Sequence, residues 1–519
     1  MDEAKPKKDM VGRLLRSTIS NYIGRFVGLF TWVLLTPFIL NQLEPDMYGL
    51  WVLVGSVVAY GSLLDFGIAG AVTKYVAEYD AKGQLKEARE LVATALTLYA
   101  VLGLIVVVAS FALAPLFPRF FNVPAEDGQT AVWLVRLSGL GMGVAVMSAS
   151  AIAVLRGLQR FDLMNLLGVV TTLLVAGATV VILLAGGGVL AMVSGTVAVN
   201  VLMQVPAVWF IYRIAPDLRF GLSRPSRAML WTVGSFSSSV FLVHVGGQLE
   251  TKTDEIVVGA FMPISAVTPY SLARKLSNLP QMMTEQFLSM LLPLASALHA
   301  ENDQARLRML YVTSTRVTLG VFLTFAVSLV ILAGPILTIW VGAEFADYAY
   351  LIFVLTLASL IDIPTWPAGS VLQGIARHRF TAVMALCTGV SNLVFSLILV
   401  QRLGLLGVAL GTLIPTIIFG VGFTIPYAMR VIGVTFGQMA RQALWPTLAP
   451  LAPAALVTYL MREIFAPTTL VPMLLITAVG SLLYLIGNLI SASSEFERKI
   501  VRDMLDKGFD RVWNRRDKS

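Results

Sequence analysis

The sequence predicts an all-α polytopic membrane protein of about 14 transmembrane helices. Of its 519 residues, 57% are hydrophobic and only 13% are charged, whereas soluble proteins carry about 25% charged residues. So few charges cannot cover a water-exposed surface, and lipid must therefore be the solvent for most of the chain. Apolar runs follow one another from residue 19 to residue 490, and each bilayer crossing needs about 20 apolar residues.

The apolar runs divide into predicted spans that are separated by short polar segments. They are 17–41, 46–73, 90–114, 129–155, 162–186, 189–212, 228–259, 265–298, 309–334, 347–373, 380–401, 405–429, 444–462 and 469–491. The seventh span has an alternative end, because Glu250 to Glu255 are also compatible with a short outside loop. That alternative would place the basic segment 306–308 outside, which the distribution of charge disfavours.

Basic residues concentrate on one side of these spans. With a cytoplasmic N-terminus, 29 of the 38 Lys and Arg residues lie in inside segments and 3 in outside segments, and the others lie within spans. Because Lys and Arg are enriched in cytoplasmic loops, we predict a multi-pass protein of the cytoplasmic (inner) membrane with both termini cytoplasmic. Basic residues scattered between apolar runs do not favour a nucleic-acid partner. One cysteine and three distant histidines predict neither a metal site nor a cofactor.

An internal repeat relates the two halves of the chain. Residues 154–160 (VLRGLQR) recur as 371–377 (VLQGIAR) at an offset of 217, and Ala88-Arg89 recurs as Ala305-Arg306 at the same offset. Gly188 with Gly195-Thr196 recurs as Gly404 with Gly411-Thr412. Six spans per half give both halves the same orientation, which is a transporter design with the substrate site between the halves.

The repeat predicts four parts of the chain. They are an N-lobe of spans 1–6 at 1–215, a C-lobe of spans 7–12 at 216–430, an appended pair of spans 13 and 14 at 431–491, and a cytoplasmic amphipathic basic tail at 492–519. The tail is predicted as a surface helix because an apolar stripe lies opposite its basic residues. A solvated basic tail is the alternative.

Short motifs in both halves carry a family resemblance. They are NYIGR at 21–25, PFIL at 37–40, YGL at 48–50, LDFG at 64–67, DEIVVG at 254–259, YSLARKL at 270–276 and LP at 279–280. In this order and spacing they resemble the polysaccharide (O-antigen or lipid-linked oligosaccharide) flippases of the multidrug/oligosaccharidyl-lipid/polysaccharide exporter superfamily. The resemblance implies a V-shaped transporter with a central cavity between two six-helix lobes and a lateral groove near the last two helices.

The same resemblance implies a function. It suggests a flippase that moves a polyprenyl-pyrophosphate-linked glycan from the cytoplasmic to the outer leaflet, with membrane lipids, H⁺ or Na⁺, and glycan polymerase or export proteins as further partners. A multidrug or cation antiporter and a lipid II flippase of the same superfamily are alternatives. A membrane glycan polymerase or ligase is a remote one, because the outside loops are short. We therefore predict a protein that is not an enzyme.

Two arginines within predicted spans are the first candidates for substrate binding. A charge at the bilayer centre costs at least about 2.5–3.5 kcal/mol and normally faces protein or a watery cavity. Arg25 and Arg274 lie near mid-membrane early in the two halves, and arginine binds phosphate oxygens through two parallel hydrogen bonds. We predict that they bind a pyrophosphate in a shared cavity. The alternatives are a structural pair or an interfacial position for Arg25, and neutralisation by a nearby carboxylate for Arg274.

The seventh span carries a polar stripe. His244, Gln248, Lys252 and Glu255 recur at helical spacing and share one face. This stripe fits a cavity wall for a sugar headgroup, although emergence of the outer helix end into water also explains it. The substrate-binding candidates on this and other helices are Gln248, Lys252, Lys275 and Arg136, and Arg136 is close enough to an outer end to snorkel.

Carboxylates within or beside spans are candidates for ion coupling. They are Asp65, Asp254, Glu255, Glu285 and Asp362. A buried carboxylate can accept a proton or a sodium ion, and such binding could couple transport to an ion gradient. Local pairing with neighbouring groups is the alternative for each.

Overall fold

The computed structural model describes residues 5–216, 227–288 and 290–491, and every regular element within them is helical. The α-helices are α1 (Lys5–Ala59), α2 (Ile68–Lys82), α3 (Leu85–Leu113), α4 (Phe117–Phe120), α5 (Gly128–Gly157), α6 (Phe161–Leu184), α7 (Val189–Leu202), α8 (Gln204–Ile214), α9 (Arg227–Phe261), α10 (Val267–Leu288), α11 (Leu291–Ala300), α12 (Gln304–Ile331), α13 (Ala333–Trp340), α14 (Ala349–Asp362), α15 (Thr365–Gly374), α16 (His378–Leu403), α17 (Leu405–Pro415), α18 (Ile425–Ile432), α19 (Phe436–Met439), α20 (Trp445–Leu448), α21 (Leu451–Phe465) and α22 (Leu470–Ile490). The predicted tail at 492–519 lies outside the described residues.

The prediction of an all-α multi-pass membrane protein is confirmed, but the count of fourteen spans is not. Within the described ranges, 11 helical stretches are long and apolar enough to cross a membrane. Predicted spans 1 and 2 fall in one of these stretches, Gly24–Asp65. The helices at predicted spans 7 and 8, α9 and α10, contain several charged residues and are not among the 11.

The helices form two compact units, residues 1–268 and residues 269–519. In the first unit α9 packs against α1, α2 and α3, and α5 packs against α2, α3 and α7. In the second unit α12 packs against α14, α15, α21 and α22. This structural division falls after α9, whereas the repeat places the lobe boundary at 215, because α9 packs on the first three helices. The lobe boundary derived from the repeat stays a prediction.

A sharp break divides α1 at the predicted boundary between spans 1 and 2. Glu44 has φ 63° and ψ 159°, and the α region is disfavoured for the residue before Pro45. The Thr268 hydroxyl donates to the Pro45 carbonyl at 2.6 Å, which attaches the segment around Thr268 to α1 just after the break. At Gly49 a Cβ atom would lie 2.6 Å from the Ile264 carbonyl oxygen, so glycine permits the close approach of these two segments.

The backbone supports the internal repeat at an offset of 217. Residues 154–160 and 371–377 each end a helix with the same three backbone hydrogen bonds, of 2.8–3.1 Å. Gln159 and Ala376, which are equivalent, both adopt positive φ, at 55° and 62°. This pattern is a Schellman-type helix end, and it occurs at matching points of the two units.

The beginnings of α3 and α12 match at a different offset. Before α3, the N–H of Gly83 donates to the Asp80 carbonyl and the N–H of Gln84 to the Tyr79 carbonyl. Before α12, Asn302 donates to His299 and Asp303 to Leu298 in the same way. These equivalent bonds are 219 residues apart. The predicted pairing of Ala88-Arg89 with Ala305-Arg306 is therefore wrong by two residues. The reason is that α12 begins 219 residues after α3, two more than the offset of 217. Gly188 and Gly404, by contrast, both directly precede a helix, as predicted.

Glycines allow α3 and α5 to approach closely, and this contact gives a test of the fold. A Cβ on Gly103 would lie 2.7 Å from the Gly143 carbonyl oxygen. We expect Gly103→Ala to destabilise the protein by about 1–3 kcal/mol, the usual cost of overpacking, measured as a lower unfolding temperature in detergent. Gly177→Ala in α6 is the control, because no heavy atom lies within 4 Å of its Cβ position. Equal unfolding temperatures for both variants would contradict this account of the α3–α5 contact.

Candidate functional site

A cavity of about 600 Å³ opens within the first unit. Its wall is formed by the 3₁₀ segment Tyr60–Asp65 that follows α1, together with parts of α2, α3, α5 and α9. The lining residues are Ser62, Leu63, Asp65, Ala69, Tyr99, Met142, Ala145, Val146, Ala149, His244, Gly247, Gln248 and Thr251. Polar side chains of α3, α9 and the 3₁₀ segment thus face an otherwise apolar space.

Hydrogen bonds attach α9 to the 3₁₀ segment. The Gln248 Nε2 donates to Ser62 Oγ at 2.6 Å and to the Ala59 carbonyl at 3.2 Å. The Tyr60 hydroxyl contacts Thr253 Oγ1 at 2.6 Å and donates to the Gln248 carbonyl at 3.4 Å. Gln248 therefore both lines the cavity and joins two of the elements that form it.

Asp65 is held by three donors at the edge of the same cavity. It accepts hydrogen bonds from the backbone N–H groups of Gly67 at 3.1 Å and Ala69 at 3.3 Å, and from the Tyr99 hydroxyl. The Tyr99 side chain is fully buried. These contacts satisfy N–H groups at the start of α2, which have no partner within their own helix. The alternative of local pairing thus has a structural basis for Asp65.

The predicted stripe on α9 is only partly gathered at the cavity. His244 and Gln248 line it, together with Thr251. Lys252 is half-buried and is not among the lining residues. Asp254 and Glu255 are buried, with 0% and 7% exposure, and both lie near enough to the Tyr60 hydroxyl to interact with it electrostatically. The roles proposed for these residues stay predictions.

The other candidates of the first unit lie elsewhere. Arg25 has an exposed side chain on α1. The Arg136 guanidinium lies over two aromatic rings, 5.0 Å from the Trp133 centroid and 5.6 Å from the Phe111 centroid. Stacking on aromatic rings is a favourable place for a cation with little water around it. Arg136 therefore has a local role in packing α5 against α3, whether or not it also meets a substrate.

In the second unit Asp362 has well-defined partners. Its carboxylate accepts hydrogen bonds from Thr365 Oγ1 at 2.9 Å and Trp366 Nε1 at 2.7 Å. Arg274 lies near enough to interact with this carboxylate electrostatically. Lys275 on the same helix is half-buried, and Glu285 is exposed. The structure thus brings Arg274 and Asp362 together, whereas Asp65, His244 and Gln248 meet in the first unit.

Two features of the structure were missing from the predicted site. The Tyr99 hydroxyl and Ser62 belong to the cavity wall, and no charge pattern in the sequence singles them out. Arg316 in α12 is 5% exposed and donates from Nη2 to the Asn488 carbonyl of α22 at 3.2 Å. The signal for Arg316 was available, since it lies within a predicted span, and its contact indicates a role in attaching α22 to the second unit.

Comparisons with known protein sequences agree on one family. Residues 42–350 match the family described as "Polysaccharide biosynthesis protein". The membrane protein EpsK of Bacillus subtilis, named as uncharacterized, is 24% identical, over 80% of this chain and 83% of its own length. Agl15 of Haloferax volcanii, named a probable low-salt glycan biosynthesis flippase, is 21% identical, over 77% of this chain and 80% of its own.

Solved structures show the same fold. The lipid II flippase MurJ in an inward closed conformation superposes with a TM-score of 0.70 at 16% identity, covering 93% of this chain and 99% of the MurJ chain. An inward-facing multidrug resistance MATE transporter of the MOP superfamily gives a TM-score of 0.63 at 16% identity, covering 77% of this chain and 95% of its own. The all-helical membrane-protein fold predicted from the sequence is confirmed.

The hydrogen bonds of Asp65 predict different effects for two substitutions. We expect Asp65→Ala to destabilise the protein by about 2 kcal/mol, because it removes the acceptor for the start of α2 and leaves the buried Tyr99 hydroxyl without one. Asp65→Asn keeps one acceptor oxygen, for the Tyr99 hydroxyl and the Ala69 N–H, but loses the acceptor for Gly67, so it should lower the unfolding temperature in detergent by clearly less than Asp65→Ala. If both variants lose stability equally, the negative charge and not the hydrogen bonds holds this segment.

Proposed function

Because the chain belongs to the polysaccharide biosynthesis protein family, we propose that it is a flippase for a lipid-linked glycan. Its cargo is a polyprenyl-pyrophosphate-linked oligosaccharide or polysaccharide repeat unit, which moves from the cytoplasmic to the outer leaflet of the inner membrane by alternating access. Membrane lipids surround the path, and a proton or sodium gradient is the proposed energy source.

The cavity of the first unit is the observation that carries this proposal. Sugar hydroxyls need hydrogen-bonding partners, and the wall offers Ser62, Asp65, Tyr99, His244 and Gln248 within one space. Its volume of about 600 Å³ is within the range of about 300–1,000 Å³ that is common for small-molecule sites. It is therefore large enough for part of a glycan headgroup.

The irregular backbone at this cavity gives independent support. Non-helical backbone at membrane depth is tolerated where it is buried in protein or lines a water-filled cavity. Regular helix stops at Phe66 and Gly67, which have positive φ of 47° and 80°, and the 3₁₀ segment Tyr60–Asp65 directly before them contributes three cavity-lining residues. A hydrated cavity at this position is what a polar cargo requires.

The cargo class is further supported by relatives. The Haloferax volcanii relative is named a probable glycan biosynthesis flippase, and the similar MurJ structure is that of a lipid II flippase. The MATE fold likeness keeps a multidrug antiporter as the competing function. Arg25 and Arg274, the candidate phosphate donors, favour the flippase, because a pyrophosphate needs cationic donors whereas a cationic drug does not.

A cavity-filling variant tests the proposal in the native host. Deletion of the gene should trap glycan-carrying lipid on the cytoplasmic leaflet, and the unmodified gene should restore export. We expect Ala145→Trp, which projects a large ring from the cavity wall, to restore less than about one-tenth of export at equal membrane abundance, because the headgroup would be sterically excluded. The measurement is the amount of glycan that reaches the outer leaflet.

Ala112→Trp is the matched control, because Ala112 is exposed on α3 and is not among the lining residues. It should restore export fully. Normal glycan export in the deletion strain, together with a changed sensitivity to cationic drugs, would replace the flippase by the antiporter. Full export by Ala145→Trp would remove the cavity from the transport path.

The proposed phosphate donors can be tested separately. We expect Arg25→Ala and Arg274→Ala each to abolish glycan export, because each removes a guanidinium that would pair with the pyrophosphate. Membrane insertion and abundance should be unchanged, as checked by immunoblotting of membranes, and Arg25→Lys should restore only part of the export. Full export by both alanine variants would exclude these residues from headgroup binding.

A further inference from the structure

A second cavity, of about 400 Å³, lies at one end of the second unit. It is formed where α11 ends, α12 begins and α15 meets α16, with α18 beside them. The lining residues are His299, Gln304, Leu307, Ile375, Ala376, Arg377 and Val431. It belongs to segments that the charge distribution assigns to the cytoplasmic side, and it is separate in sequence from every residue of the transport site proposed above.

Basic side chains surround this cavity. Arg377 and His299 line it directly and are both exposed. Arg308 lies beside it, since its Nε and Nη2 atoms are 3.3 and 3.4 Å from the Cβ position of Gly433, two residues after Val431. Gln304 adds an uncharged amide donor to the wall. Guanidinium, imidazole and amide groups around one space are suited to an anion with several oxygen atoms.

The nearby carboxylate of Asp303 is already engaged. Its Oδ1 accepts the Arg306 backbone N–H at 2.9 Å, which caps the start of α12. Its Oδ2 lies 3.2 Å from Arg306 Nε in an ion pair. Arg377 has neither a hydrogen bond nor an ion pair with any of the side chains that the structure describes. None of the described side chains therefore neutralises its charge.

The internal repeat shows how this end of the second unit differs from the first. The position equivalent to Arg377 is Arg160, whose Nε and Nη2 each donate to Asp162 at 3.0 Å. At the same offset of 217, the position of Asp162 is taken by Arg379. The carboxylate that neutralises the arginine in the first unit is replaced by a second arginine in the second unit.

A second charge change occurs at the same place. The helix-end hydrogen bonds match His299 to Asp80 at an offset of 219. Two acidic positions of the first unit are therefore basic in the second, around a backbone that is otherwise the same. The first unit shows that the fold does not require these basic residues, so they are available to bind an anion.

We propose that this cavity binds a phosphate group, with Arg377 as the principal ligand, His299 and Arg308 beside it, and Arg379 adding positive charge two residues along the chain. Arginine matches phosphate oxygens in geometry and keeps its charge at all physiological pH values. The ligand is either the headgroup of an anionic membrane lipid or a free phosphate compound, because both present the same chemistry to this wall. The site goes beyond the transport function, which could fail its tests without affecting this one.

Titration of the purified full-length protein tests the site. We expect inorganic phosphate, added in neutral detergent at constant ionic strength balanced with chloride, to bind to the unmodified protein. Arg377→Gln should weaken this binding about tenfold or more, as expected for loss of a hydrogen-bonded charge pair. Arg402→Gln is the matched control, an exposed arginine at the far end of the same helix, α16, and it should bind as the unmodified protein does.

A re-pairing variant separates binding from folding. Arg379→Asp recreates in the second unit the ion pair that Arg160 forms in the first, so it should remove phosphate binding while unfolding at the same temperature as the unmodified protein. The source of the phosphate is identified by native mass spectrometry from nanodiscs of phosphatidylcholine with and without phosphatidylglycerol. Retention of phosphatidylglycerol by the unmodified protein but not by Arg377→Gln identifies a lipid headgroup, and binding of inorganic phosphate alone identifies a free ligand. If Arg377→Gln and Arg402→Gln bind both probes equally, the site is refuted.

Discussion

The structure depends on the need of every backbone polar group in a bilayer for a partner inside the protein. Hydrocarbon offers no water to N–H and C=O groups, so each unsatisfied group costs several kcal/mol. Helices satisfy this need along their length, and it is at their breaks that side chains must take over. At the start of α2, the Asp65 carboxylate accepts hydrogen bonds from backbone N–H groups that have no partner within their own helix.

This constraint also explains two changes of helical winding in the second unit. A π-helical segment, Thr416–Thr424, leads into Pro426, and a second, Ala440–Leu444, leads into Pro446. Proline has no N–H and crowds the carbonyl four residues before it. A wider turn relieves that crowding and keeps the helix continuous.

The sequence predicts the apolar spans well because hydropathy directly reflects transfer into lipid. It does less well where a helix contains charges, as at α9 and α10, since burial in protein cannot be told from emergence into water. Asp254, with 0% exposure, and Glu285, which is exposed, gave the same signal in the sequence. The count of fourteen spans is left unconfirmed for this reason, and because the bent helix α1 contains two predicted spans in one element.

The sequence also predicted some residues of the candidate site but not the contacts between them. Gln248 and Asp65 were found as polar residues in apolar helices, and the structure places both at one cavity. Their bonds to Ser62 and Tyr99 join segments that are far apart in the chain, and no spacing rule indicates such a contact. Similarly, the motif at 154–160 predicts its copy at 371–377, but only the hydrogen bonds at the helix starts reveal the change of offset from 217 to 219.

The internal repeat shows which features the two units share and which they do not. Duplication preserves what the backbone needs, such as the positive φ shared by Gln159 and Ala376, since any loss there would leave carbonyls unpaired in or near lipid. Surface charge is under no such restriction. An arginine that is neutralised by Asp162 in one unit is therefore free to act as a ligand in the other, where Arg379 takes that position. In this protein Arg377 and His299, whose surroundings or charge differ from those of their equivalents in the first unit, both line one cavity of the second unit.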